Sequence, residues 1–226
     1  MTAVFELRQY TLRDGGRDAL VELFDRELVA GQEAVGMRIV GQFRDLDRPE
    51  RFVWIRGFAD MARRHEALTA FYGGAVWAAH RDAANATMVD FDDVLLLRTA
   101  GAPAFDVALR RPPPAAAPAS LIVAVVHRLT EPMDRSAVAG LVESLRALRT
   151  TPGVQVLALL ETETARNTYP ALPVREDEQV VVEVLRVDGP GRLPLARPES
   201  TGGTEHRAVV DSTEIRLQPT QGSWLR

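Results

Sequence analysis

The chain has 226 residues, of which 46% are hydrophobic and 26% charged, and it carries a net charge of −4 with no cysteine. That length can bury one large core or two small ones. Interleaved acids and bases exclude the basic patch of a nucleic-acid binder, and the lack of cysteine excludes disulfides, thiolate nucleophiles and zinc–thiolate sites.

The opening MTAVFELRQYTL enters an alternating strand pattern directly, without the basic, apolar and small-residue succession of a signal peptide. No apolar run reaches the roughly 20 residues that span a bilayer, so a soluble cytoplasmic protein with no membrane partner is expected. VFELRQYTL (4–12) reads as a first strand, and DALVELFDRELVAGQEA as a periodic helix that Gly36 ends. MRIVGQFRDL and RFVWIRGFA, separated by the turn-rich DRPE, form a hairpin of strands two and three. MARRHEALTAFY is a second helix, AVWAAHRDAANAT continues it beyond Gly73-Gly74, and DVLLLRTA (93–100) is a fourth strand. The order is β-α-β-β-α-β, a ferredoxin-like unit over residues 1–100.

The proline-rich segment 101–119 reads as a linker. The pattern then restarts over 120–226 with LIVAVVHRL, SAVAGLVESLRAL, VQVLALLETET, QVVVEVLRV and STEIRLQP, while Gly and Pro residues replace the second helix after Val187. An α+β fold of tandem ferredoxin-like repeats follows, the second copy degenerate. A four-stranded sheet with helices on one face leaves its other face bare, so the two antiparallel sheets are expected to pack into a pseudo-dimeric α+β barrel.

At 100 degrees per residue, His80 and Thr87 fall near the middle of the apolar arc formed by Val76, Trp77, Ala79, Ala83, Ala84, Ala86 and Met88. Glu27 falls inside the stripe of the first helix, with Leu20, Leu23, Phe24, Leu28 and Gly31. Both helices cover one sheet face, so Glu27 and His80 are expected to meet there as a catalytic general base or proton shuttle. Arg8, Tyr10, Gln42, Trp54 and Arg56 share one strand parity and, with Trp77 and Thr87, are candidate substrate-binding residues; Leu7, Ile39, Phe43, Val53 and Ile55 share the other and suit the barrel interior. The bland alternatives stand beside these readings: a core histidine bonded to a carbonyl or to Thr87, and a structural ion pair between Glu27 and Arg8 or Arg56. The second-repeat helix, with Val138, Leu141, Val142, Leu145 and Leu148, reads as scaffold, His65 as solvated, and His127 and His206 as belonging to no cluster. No spacing resembles a metal motif, and no glycine-rich phosphate loop is present.

ELRQYTL, GMRIVGQFRDLDRPERFVWIRGF and FYGGAVWAAHRDAANATM together resemble the NIPSNAP family, especially its bacterial two-repeat members, and NTYPALPVRE (167–176) is similar to a segment of those longer chains. The resemblance implies a dimeric α+β-barrel fold shared with small monooxygenases, isomerases, cyclases and dehydratases that generally need no metal or organic cofactor. It implies chemistry in the cavity between sheet and helices. Two functions remain open: a cofactor-independent enzyme acting on a small aromatic or polyketide-like carbonyl compound, with Arg8 or Arg56 on its enolate, or a non-catalytic ligand-binding or interaction module with a solid core. Exposed strand edges can still pair two chains into a homodimer.

Overall fold

Strand alternation and helical periodicity give fourteen elements among the residues that a computed structural model describes, 3–101, 104–105, 121–130, 132–150, 152–189 and 209–226. The first half runs β1 (Val4–Leu12), α1 (Gly16–Leu23), a π-helical turn (Phe24–Leu28), α2 (Val29–Ala34), β2 (Arg38–Asp45), β3 (Arg51–Phe58), α3 (Met61–Tyr72), α4 (Ala75–Thr87) and β4 (Met88–Thr99). The second runs β5 (Leu121–Leu129), α5 (Arg135–Leu148), β6 (Val154–Thr162), β7 (Val180–Val187) and β8 (Val209–Pro219). β4 begins at Met88 rather than Asp93, because Thr11 and Leu12 of β1 extend its pairing to Asp90 and Met88.

The strands close into a barrel in the order β1-β3-β2-β8-β5-β7-β6-β4. Each half contributes the same antiparallel run, β4-β1-β3-β2 and β8-β5-β7-β6, so the halves are related as two copies of one ferredoxin-like unit. They join edge to edge as well as face to face. Phe43–Asp45 pair with Leu217–Pro219 at one seam, and Leu97–Thr99 with Leu160–Thr162 at the other. These seams close the described strands into one barrel, each half covering part of the other's sheet edges.

Interior and exterior follow the two-residue period. Phe5, Leu7, Phe43, Val53 and Ile55 face Ile122, Val126, Val182, Val184 and Ile215 inside the barrel. Arg8, Tyr10, Trp54 and Arg56 lie on the outer face beneath the helices, as their shared parity predicts. Ile39 is the exception. It packs on the helix side, because a bulge shifts the β2–β3 register between Ile39 and Gly41. Gly41 then points inward beside Phe43, and a Cβ there would lie 2.2 Å from the Phe43 ring.

Of the expected linker, Phe105 sits in the interior edge-on to Phe5 (ring centroids 5.6 Å apart), while residues 102–103 and 106–120 lie outside the described residues. So do residues 190–208, with the helix-replacing segment and His206. Among the described residues, no helix is long and apolar enough to cross a membrane.

Candidate functional site

Alternation puts Glu6, Arg8 and Tyr10 on the outward face of β1, and the register sets Glu6 opposite Arg56 and Arg8 opposite Trp54. The helix above contributes a polar residue to the same layer. α3 is capped by Asp60, whose carboxylate accepts the Arg63 N–H at 2.8 Å, and it buries Arg64, Ala67, Leu68 and Phe71 at helical spacing. Three guanidiniums therefore converge on one carboxylate. Arg8 Nη1 and Arg56 Nε each donate to Glu6 Oε2 at 2.7 Å, and Arg64 Nε donates to Oε1 at 2.7 Å. All four side chains are fully buried. Burial alone pushes the Glu6 carboxyl up, but Arg56, Arg8 and Arg64 outweigh it and hold the group well below the usual carboxylate range.

Neutral groups satisfy some of the remaining donors. Arg8 Nε donates to the Tyr10 hydroxyl at 3.0 Å, Arg56 Nη1 to Gln32 Oε1 at 3.2 Å, and Arg64 Nη1 to Asn167 Oδ1 at 2.9 Å and Thr168 Oγ1 at 3.2 Å. The guanidiniums of Arg56 and Arg8 also lie 5.0 and 5.7 Å from the Trp54 ring. Tyr72 stacks on Tyr169 and meets Trp77 edge-on at 5.1 Å. Four donors stay incomplete. Arg8 Nη2, Arg64 Nη2 and Trp54 Nε1 are buried without a hydrogen-bond partner, and Arg56 Nη2, though 2.7 Å from Glu6 Oε2, is not aligned to donate.

Glu27 and His80 do meet, with His80 Nε2 3.7 Å from Glu27 Oε2, but not in the helix–sheet interface. Their side chains are 34% and 29% exposed, on the outer rim. The cause lies in both helices. The π-helical turn winds wider than an α-helix, so residues beyond it lag behind the regular wheel; Gln32, not Glu27, becomes the buried polar residue and reaches Arg56. α4 packs on the first helices rather than on the sheet: only Ala84 is fully buried, Val76 is 38% exposed, and Gly31 lets Val76 approach where a Cβ would lie 2.9 Å away. A hydrogen bond from Arg26 Nε (2.8 Å), followed by the charge of His80, holds the Glu27 carboxyl below its ordinary value despite partial desolvation.

Two other candidates belong elsewhere. Gln42 donates to Asp25 at 2.9 Å, and Asp25 also accepts from Gly222 N and Thr220 Oγ1, which ties the C-terminal segment to the π-helical turn. Thr87 donates to Ala84 O at 2.7 Å, and its own carbonyl accepts from Arg13 N, so it ends α4. Glu6, Gln32, Arg64, Tyr72, Asn167 and Thr168 were missed. Glu6 shares the parity of Arg8 and Tyr10, and a wheel over MARRHEALTAFY would have placed Arg64 with Leu68 and Phe71. Asn167 and Thr168 carry no comparable periodic signal. His65 is exposed but engages the Thr168 carbonyl at 2.7 Å.

The second half is not pure scaffold. His127 lies 2.8 Å from Glu183 Oε1 through Nε2 and 2.7 Å from Ser212 Oγ through Nδ1, while Arg149 chelates Glu183 at 2.8 and 2.5 Å. Burial raises the Glu183 carboxyl, but hydrogen bonds from His127 and Arg149 bring it below its ordinary value. One guanidinium balances one carboxylate, and neither His127 nor Glu183 has an unpartnered buried atom. Cavities bordered wholly by described residues open elsewhere. One of about 860 Å³ lies between Arg128–Thr130, Pro132 and Met133 on one side and residues 162–166 and 174–179 on the other, and another of about 640 Å³ lies beside Asp25 and Thr220. Among the described residues no group of three or more His, Asp or Glu is placed to hold a metal ion.

No curated protein matches the chain. Among solved structures it is similar to an anthrone oxidase-like protein (14% identity over 96% of this chain and 91% of the other, TM-score 0.59). It is likewise similar to a candidate monooxygenase from Lactobacillus acidophilus NCFM (11% identity over 97% and 94%, TM-score 0.56). A NIPSNAP-like domain protein from Burkholderia xenovorans is similar over 42% of this chain and 82% of its own (24% identity, TM-score 0.39). At these identities the two full-length likenesses establish the α+β-barrel fold alone. The NIPSNAP family profile matches residues 5–103, which identifies the first repeat, and not the whole chain, as a NIPSNAP domain.

Proposed function

We propose that this NIPSNAP-domain protein is a cofactor-independent enzyme that moves a proton on a small aromatic or polyketide-like carbonyl compound. The observation that carries the reading is the partly exposed His80–Glu27 pair on the π-helical turn. His80 accepts the proton and the ionised Glu27 offsets the resulting charge; their 3.7 Å separation exceeds a hydrogen bond and would tighten on substrate. One helical turn back, Trp77 contacts Tyr72, whose hydroxyl lies 3.5 Å from Arg56 Nη1, so an aromatic wall runs from this pair towards the arginines. The names of the two full-length neighbours accord with small-molecule chemistry in this fold. The second reading, a non-catalytic module, is favoured by one fact: the two larger cavities described above are lined by other residues than Glu27, His80, Trp54 and Arg56.

The test is deuterium exchange next to the carbonyl of an aryl ketone such as α-tetralone in D₂O, followed by NMR. The expected result is acceleration by the wild type, with Glu27→Gln and His80→Ala remaining folded and losing about 10²–10⁴-fold in rate. Exchange no faster than in buffer, or unchanged in both variants, favours the non-catalytic module.

A further inference from the structure

The charge balance under α3 is incomplete. Arg8, Arg56 and Arg64 are each ion-paired with Glu6 and with no other carboxylate among the described residues. Burial pushes the Tyr10 hydroxyl up, so Tyr10 is neutral beside them. Three guanidiniums against one carboxylate leave two positive charges buried. The same region holds the incomplete donors Arg8 Nη2, Arg56 Nη2, Arg64 Nη2 and Trp54 Nε1. Buried cations persist when an anion or hydrogen-bond acceptors meet them; otherwise they destabilise the fold. The second half shows the balanced form of the same design, since Glu183 there faces a single arginine and its network is closed.

From this we propose that the arginine cluster is a binding site for an organic anion, an aromatic carboxylate, whose two oxygens complete the unpaired guanidinium donors. Forked guanidinium–carboxylate contact suits planar oxyanions with two acceptors. The surroundings specify the rest of the ligand. Trp54, Tyr10, Phe58 and Tyr72 present rings within 6.0 Å of the Arg8 or Arg56 guanidinium, so a flat apolar body fits better than a bare hydrated ion. The cluster is covered by the stretch that lays Asn167 and Thr168 over Arg64 and is tied to β4 at its two ends by Glu163 N to Leu96 O and Arg175 N to Val94 O, both 2.9 Å; ligand entry requires the part between these two bonds to move. Like the proposed chemistry, the inference treats the sheet–helix layer as a small-molecule site, but it concerns binding and does not require His80 to act.

The test is calorimetry and thermal denaturation of the full chain with benzoate, its uncharged counterpart benzamide, and inorganic phosphate at constant ionic strength. Benzoate should bind saturably and raise Tm, and benzamide should do neither. Arg64→Gln, checked for native circular dichroism, should weaken benzoate by about tenfold or more, and Arg64→Lys should not restore it fully. His80→Ala should bind benzoate as the wild type does, which separates this inference from the proton-transfer reading. No saturable benzoate binding, equal binding of benzamide, or undiminished binding by folded Arg64→Gln would overturn it. Because the first two comparisons use the wild type, they decide the matter even if the variants fail to fold. Binding of phosphate in place of benzoate would overturn the aromatic assignment.

Discussion

Glu6 bears the largest electrostatic role of any single residue described. It is the one anion among three buried guanidiniums, so Glu6→Gln leaves three cations unpaired and should cost about 3–5 kcal/mol at pH 7 in urea denaturation. The pH dependence follows from its depressed folded pKa. The stabilisation is complete above the unfolded carboxylate value of about 4.3 and is lost as the pH falls through the folded value. The difference between wild type and Glu6→Gln should therefore narrow once the pH drops below about 4. A gap that stays constant down the acid limb would show that Glu6 is not ionised in the fold. Arg8, Tyr10, Trp54 and Arg56 were legible beforehand because strand parity is a strict two-residue rule. Arg64 obeys an equally plain helical rule, but it reads as a solvated residue until a wheel is drawn.

At the level of elements, two local irregularities decided which side chains meet. The π-helical turn at Phe24–Leu28 moved Glu27 to the rim and brought Gln32 inward to Arg56. The bulge at Ile39–Gly41 moved Ile39 to the helix side. Neither has a clear signature in residue type, since each is a choice of backbone hydrogen bonding that packing imposes. The bulge can be tested directly. Gly41→Ala sets a methyl group against the fully buried Phe43 ring and should cost about 1–3 kcal/mol in chemical denaturation. Phe43→Leu in the same chain should recover part of that loss. A neutral Gly41→Ala would mean that the ring moves freely and the contact does not constrain the strand.

For the whole molecule, the governing fact is that neither half covers its own apolar face. Phe5, Leu7, Phe43, Val53, Ile55, Leu95 and Leu97 of the first half are buried by Ile122, Val126, Val182, Val184 and Leu217 of the second. Each seam is short, three registered strand pairs with a few flanking backbone bonds, so the shared interior is the larger stabilising term. A fragment ending at Phe105 should therefore exist in analytical ultracentrifugation as dimers or larger species. A cooperatively folded monomer of that fragment would contradict the dependence of one half on the other. The second half also reaches the candidate anion site, because Asn167 and Thr168 complete the wall above Arg64. That contribution joins residues 103 and 104 positions apart.

The sequence by itself determined the order of elements, the duplication, the barrel and the outward parity of Arg8, Tyr10, Trp54 and Arg56. These depend on local period and on the need to bury an apolar face, both written in residue spacing. Only the tertiary structure decided that His80 and Glu27 stand at the rim, that Gln42 serves the C-terminal segment, and that Glu6 gathers three arginines. Those outcomes depend on helix-on-helix packing, on a backbone turn of unusual winding and on a loop from the other repeat. No periodicity within a single element encodes them.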